Sequence, residues 1–400
     1  MMSQKVEVQM IEKSGRKGNL YYKVTHNRKS CLIETGHIID VSEWDNEKGM
    51  IKVESDKTYA NWLKLCLIRK SVQSGLQILE QVIEDLKKRG RFTTGDIVEK
   101  YKYTQQTLSY FRFMEGVIAQ LGISGRTRTS ETYMSAYKRF RLFVGTPDIT
   151  FNEMDSELIE MYEDYLKKSH ISLNTISFYM RIMRAVYNRG VESGLVLQHY
   201  PFRRVYTGVE KTVKRAIPFT FIKSIKQLKL KEHSALEWAR DLFLFSFYTR
   251  GMSFVDMAYL KTSDIKNGNL VYRRRKTGQQ LFIKWENCMQ EIVDKYVSYS
   301  DYLLPIICKE GNERTQYTNA LHLVNNRLKQ IASMVGLSVP LSMYVARHSW
   351  ASMARDCHVP IAIISEGLGH HSENTTRIYL SSLDNSVIDN ANMMILSKLL

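Results

Sequence analysis

Two short basic segments divide this chain into three stretches whose hydrophobic periods differ, so no single repeating pattern explains it. Lys87-Lys88-Arg89-Gly90-Arg91 joins a helix-stopping glycine to a solvated charge run. Thr212-Val213-Lys214-Arg215 is a second basic linker, placed just after the helix-breaking Pro201-Phe202-Arg203-Arg204. At 400 residues the chain exceeds what one typical core holds, and two or three domains are expected, over 1–90, 100–205 and 216–400.

The first stretch reads as β and then helix. Val6, Val8 and Met10 alternate with polar residues, and Ser14-Gly15-Arg16-Lys17-Gly18 is a turn. A second strand over Leu20–Val24 and a third over Cys31–Ile33 flank the turn His26-Asn27-Arg28-Lys29, and a helix is expected over Tyr59–Lys88. The second stretch reads as helices near Gln105–Leu121, Ser130–Phe143, Ser156–Lys168 and Leu173–Ser193. Two of these are basic and amphipathic. Lys138, Arg139 and Arg141 charge one, and Arg181, Arg184 and Arg189 the other, opposite a stripe of Ile176, Met180, Met183 and Val186. Such helices are either solvated surface or phosphate-contacting, and Lys138, Arg139, Arg181 and Arg184 are the candidate nucleic-acid contacts. The third stretch is mainly helical, with one β-hairpin from Leu270–Tyr272 through Thr277-Gly278 to Leu281–Ile283. The fold class expected is therefore multidomain and mainly α, with a β-rich N-terminal part and an α+β C-terminal part.

The net charge of +16 favours a polyanionic partner, nucleic acid first. Five scattered cysteines without a CxxC pair argue against a disulfide framework or a zinc site and fit a reducing cytoplasm. The start MMSQKVEV has no apolar signal core, and no run approaches the ~20 apolar residues that span a bilayer.

Three clusters concentrate residues fit for phosphoryl chemistry: Tyr248–Ser253, Arg273–Gly278, and the block from Tyr344 to Tyr379. Cleaving a phosphodiester without a metal needs cations for the non-bridging oxygens, a nucleophile, and an acid for the leaving oxygen. Arginine suits the first task because its planar fork grips two oxygens and stays charged. Tyrosine serves as nucleophile and lysine as acid. Singly, each residue has a plain structural reading: Tyr379 as a half-buried core side chain, His370 as a helix end, Lys276 as a solvated turn.

In combination and order they resemble the tyrosine recombinase (phage integrase) family. Tyr344-Val345-Ala346-Arg347-His348, then Leu368-Gly369-His370, then Tyr379 nine residues after that histidine, match its signature, and Lys276-Thr277-Gly278 resembles the family's hairpin lysine. The resemblance implies an arm-type DNA-binding domain over 1–90, a helical, SAM-like core-binding domain over 100–205 and a catalytic domain over 216–400. It implies that Tyr379 attacks the scissile phosphate to give a 3′-phosphotyrosyl bond. Arg347 and His370, with either Arg250 or Ser253 and with Tyr344 as a further candidate, would stabilise the transition state. One of Arg273, Arg274 and Arg275 is the alternative source of charge, and Lys276 would protonate the leaving oxygen. No cofactor or metal is implied. The partners implied are double-stranded DNA, further copies in a tetramer on DNA, and accessory DNA-bending proteins; no membrane is implied. The setting implied is a bacterial cytoplasm, with the protein nucleoid-associated when bound. The outcome would be integration, excision or inversion.

Two positions depart from the family pattern. Tyr344 stands where histidine is usual, and aligning Ser253-Phe254-Val255-Asp256-Met257 with Arg-x-x-Glu-Leu puts Ser253 at the first arginine. Arg250, three residues earlier, is expected one helical turn away on the same face, and Gly251 to let DNA backbone approach. This Arg-Gly-Met form looks like the branch found in conjugative transposons and DNA invertases. A catalytically degenerate DNA-binding regulator and a type IB topoisomerase-like or hairpin-forming relative are the rival readings. Val387, Ala391, Met394, Ile395 and Leu399 form an apolar stripe on a tail, 385–400, expected to dock on a neighbouring protomer.

Overall fold

A computed structural model of the chain describes residues 4–397 except 14, 54–57, 147, 211–215, 299, 381–391 and 394, and excludes the side chains of Ile378 and Tyr379. The second basic linker and most of the apolar tail lie outside the described residues. The chain divides into two compact units, residues 1–211 and 212–400.

The first unit opens with an antiparallel sheet of β1 (Gln4–Glu12), β2 (Lys17–His26) and β3 (Lys29–Asp40), followed by a two-residue pair, β4 (Trp44–Asp45) and β5 (Met50–Ile51). Asn27 and Arg28 both have positive φ, the geometry a two-residue hairpin needs to match strand twist. Period-2 alternation turns Leu20, Tyr22 and Val24 to one face. They pack on α1 (Tyr59–Arg89) through Leu65, Ile68, Val72 and Leu79. Leu63 and Leu67, on another side of α1, join a second core made by α3 (Tyr110–Ile123), α4 (Thr127–Val144), α5 (Ser156–Lys168) and α6 (Leu173–Glu192). One long helix thus serves two cores.

The helix expected over Gln105–Leu121 is two helices, α2 (Thr94–Leu108) and α3, parted at Ser109. Ser109 leaves helical geometry because its hydroxyl caps α3, accepting from Arg112 N, and donates to Asp148 Oδ1 at 2.7 Å. Asp148 is far away in sequence, so no local window reveals the break.

The second unit packs α7 (Phe219–Gln227), α8 (Ala235–Tyr248), α9 (Phe254–Ala258), strands β6 (Ile265–Lys266), β7 (Asn269–Arg273) and β8 (Gln280–Lys284), α10 (Asn287–Lys295), α11 (Glu313–Met334) and α12 (Met343–Asp356) around one core. α8 is its centre: Leu242, Phe243 and Phe245 are fully buried. A buried charge network fixes α8 to α10, with Asp241 accepting from Arg240, Lys295 and the Tyr296 hydroxyl. A small apolar cluster of Ala351, Ile364, Leu368 and Leu380 then binds α12 to α13 (Ile361–Gly367) and α14 (Glu373–Leu380). That cluster brings the separated motif residues together. Among the described residues no helix is long and apolar enough to cross a membrane.

Candidate active site

The site grows from the end of α8. Arg250 and Gly251 both take left-handed backbone conformations, φ +59° and +71°, and Gly251 N–H donates back to Ser246 O at 2.7 Å. Arg250 and Ser253 therefore flank a chain reversal; they do not lie one turn apart on a helix, as the sequence suggested. The glycine, combined with the carbonyls of the last turn, ends the helix first.

Gly251 also has a different task from the one expected. It is buried, and a β-carbon there would stand 2.5 Å from Arg347 Cα and 2.9 Å from its Cβ. The missing side chain makes room for Arg347, not for DNA. Gly251→Ala is expected to cost about 1–3 kcal/mol for the left-handed backbone alone. It should also displace Arg347, so a lowered melting temperature together with slowed DNA cleavage is the result to look for; wild-type values for both would refute this packing role.

Ser253 caps α9. Its hydroxyl donates to Asp256 Oδ2 at 2.6 Å and accepts from Asp256 N. Asp256 is buried and through Oδ1 also accepts from Arg275 N at 2.9 Å, tying the hairpin turn to α9. Serine here serves local structure.

Arg347, on α12, is 3% exposed. Its Nη1 donates to Gly251 O at 2.9 Å, and its Nη2 donates to Leu368 O and to His370 Nε2, the latter at 3.1 Å. Arg347 and His370, 23 residues apart, are thus in direct contact. His370 is held on its other side by the hydroxyl of buried Thr376, with Nδ1 to Oγ1 at 2.8 Å. Burial, then the charges of Arg347, Arg274 and Lys276, push the His370 imidazole down to about 4. Arg347 thus touches a neutral ring, and Arg274 and Lys276 add to the positive charge around it.

The hairpin separates its basic residues sharply. Arg273 is exposed, and Arg275 lies 3.9 Å over the Tyr259 ring. Arg274 is 7% exposed and donates from Nη1 to Gly369 O at 2.6 Å. Among the described residues no carboxylate pairs with Arg274, and its buried Nε has no hydrogen-bond partner. A buried cation so placed is costly unless an anion completes it. The sequence carried the signal: Leu270 and Tyr272 face inward on β7, and period 2 carries Arg274 to the same face. Gly369, at φ +64°, allows this approach, since a β-carbon there would stand 3.1 Å from Arg274 Cδ.

Lys276 is exposed at the hairpin tip. The tip is anchored to the Gly369–His371 segment, with Thr277 Oγ1 donating to Gly369 O at 3.4 Å and His371 Nε2 donating to Thr277 O at 3.0 Å. Arg250 is half-buried, with its stem beside Gly367 and Trp350. Tyr344 is 55% exposed and meets His348 edge-on, ring centroids 4.8 Å apart. Tyr379 lies on α14, one turn after Thr376, and its side chain is outside the described residues. Among the described residues no group of His, Cys, Asp and Glu side chains could hold a metal ion.

The first unit's basic candidates are less uniform than the sequence suggested. Lys138, Arg181 and Arg184 are exposed, whereas Arg139 is half-buried with its guanidinium 5.5 Å over the Tyr165 ring. The aromatic stripe of α5 draws it inward.

Comparison with known proteins bears on this arrangement. Residues 109–205 match the phage integrase SAM-like domain. The chain is 25% identical over 256 residues to tyrosine recombinase XerA of Pyrococcus horikoshii, covering 56% of this chain and 89% of that protein. These matches are to tyrosine recombinases and a phage integrase domain, and they support a tyrosine recombinase. Its fold is shared with a lambda integrase tetramer bound to a Holliday junction, at TM-score 0.53 and 15% identity over 90% of this chain and 92% of the other. The Tn1549 transposon integrase in complex with transposon right end DNA gives TM-score 0.51 at 11% identity, over 72% of this chain and 99% of its own.

Proposed function

We propose that this recombinase cuts and rejoins double-stranded DNA at specific sites through a phosphotyrosine on Tyr379. The observation that carries the reading is the contact of Arg347 with His370 and of Arg274 with the adjoining Gly369 carbonyl, beside the anchored hairpin turn that bears Lys276 and on elements joined to the helix that bears Tyr379. The P–O5′ bond breaks as the bond from phosphorus to the tyrosine oxygen forms. The number of ester bonds is conserved, and a 5′-hydroxyl from another strand can reverse the step. Two buried guanidiniums stabilise the extra negative charge of the pentacoordinate phosphorus. Lys276, exposed on an anchored turn, donates the proton the 5′-oxygen needs. Arg250 adds charge from the edge.

The finer organisation follows the same reading. Residues 1–90 contact arm-type sites, 100–205 clasp the core site with Lys138, Arg181 and Arg184 on phosphates, and 216–400 hold the chemistry. Four copies act together on two DNA sites. The test is incubation with nicked duplex DNA that traps the cleaved state by losing its short 5′ fragment. The expected product is a protein–DNA adduct resistant to denaturant, mapped by peptide mass to 373–380, followed by recombinants on intact sites. Tight binding with no adduct would instead support a DNA-binding regulator, and adducts with no exchange a topoisomerase-like enzyme.

A further inference from the structure

The hydrogen bonds around His370 assign its tautomer. Arg347 Nη2 donates to Nε2, because a guanidinium has no acceptor, so Nε2 presents its lone pair. With the imidazole pushed down to about 4, the ring carries one proton at neutral pH, and that proton sits on Nδ1. Nδ1–H therefore donates to Thr376 Oγ1, 2.8 Å away and fully buried.

This resting tautomer cannot donate from Nε2 to a phosphate oxygen. For the ring to stay neutral and donate from Nε2 once a phosphate engages the Arg347 guanidinium, it loses its Nδ1 proton to solvent and takes one from solvent at Nε2, with no change in net charge. The partner of Nδ1 must then turn from acceptor to donor. A carbonyl or a carboxylate, both acceptors, would lock the Nδ1–H form. A hydroxyl serves either role by rotating its O–H. Thr376 supplies that hydroxyl from α14, one turn before Tyr379, so the same bond seats the nucleophile's helix against His370.

We propose that Thr376 is a positioning residue whose reversible hydrogen bond lets His370 face Arg347 with a lone pair at rest and the scissile phosphate with an N–H during cleavage. The inference rests on the reading above that His370 faces the phosphate. Thr376→Val keeps the shape and removes the hydroxyl, while Thr376→Ser keeps the hydroxyl. In single-turnover adduct formation by the full chain at saturating nicked DNA, Thr376→Val is expected to be about 10- to 100-fold slower, by analogy with the loss when the outer hydrogen-bond partner of a metal-binding histidine is removed. Thr376→Ser should stay close to wild type, and DNA affinity should not change in either. Nitrogen-15 spectra of histidine-labelled protein should show His370 protonated on Nδ1 in the free wild type and losing that single form in Thr376→Val. Wild-type cleavage by Thr376→Val, equal slowing by Thr376→Ser, or an Nε2–H resting form in the wild type would each overturn the proposal; the last needs no variant to fold. His370→Ala separates the two levels: normal cleavage there would sink the site reading itself, whereas its loss beside a fully active Thr376→Val would sink only the role of Thr376.

Discussion

Tyr379→Phe is expected to bind DNA as tightly as the unaltered chain and to form no covalent adduct at all. Phenylalanine keeps the ring and lacks only the oxygen that would bond to phosphorus, so the loss belongs to chemistry. Other residues seat α14. Thr376 is fully buried against His370, and Leu380 packs with Ala351, Ile364 and Leu368. Tyr344→Phe is the matched control, since Tyr344 lies one turn from Arg347 on α12 and half of it faces solvent. It should retain adduct formation. Both variants are scored on nicked duplex DNA by denaturing electrophoresis, beside a binding titration at fixed salt, because phosphate contacts make affinity salt-dependent. An adduct in Tyr379→Phe that vanishes in Tyr344→Phe would transfer the nucleophile to Tyr344.

Local patterns in the sequence foretold most elements of the first unit and the hairpin of the second, and their failures share one cause. The Tyr59 helix, the basic α6, the three strands and the Lys276 hairpin all announce themselves through period, turn residues and a breaking glycine. The contact between Arg347 and His370 was legible only because their spacing to Tyr379 resembles a family signature; no periodicity joins residues 23 apart. What stayed hidden depends on partners distant in sequence. Ser109 breaks a helix for Asp148, Gly251 is small for Arg347, and Arg139 turns inward for Tyr165. Thr376 looks like an ordinary helix residue until its hydroxyl meets His370. Arg274 is the exception. The sequence offers Arg273, Arg274 and Arg275 without distinction as another source of charge, and strand alternation alone singles out Arg274 as the inward one.

That burial makes Arg274→Ala the second large effect. With Ser253 at the family's first arginine position, the transition state needs another guanidinium beside Arg347. Ser253 cannot supply it, because its hydroxyl is already committed to Asp256 at 2.6 Å, and a neutral hydrogen bond is roughly half as strong as a charge-assisted one. Arg250 is closer in sequence, yet it leaves α8 in a left-handed turn and stays half-buried. Arg274 and Arg347 donate to the neighbouring carbonyls of Gly369 and Leu368, so both guanidiniums line the segment that carries His370. Removing one preorganised donor of this kind costs about 10²–10³ in the chemical step. Arg274→Ala is therefore expected to lower single-turnover cleavage at saturating DNA by roughly that factor. Arg274→Lys should recover only part of it, since lysine keeps the charge and loses the fork. Arg250→Ala should fall less, by about tenfold, as suits one partly solvated charge. Ser253→Ala should cut at nearly the normal rate while losing about 1 kcal/mol of stability through its missing cap. Near-normal cleavage by Arg274→Ala together with a collapse in Arg250→Ala would return the second cation to the end of α8 and leave Arg274 as the residue that docks the hairpin onto Gly369.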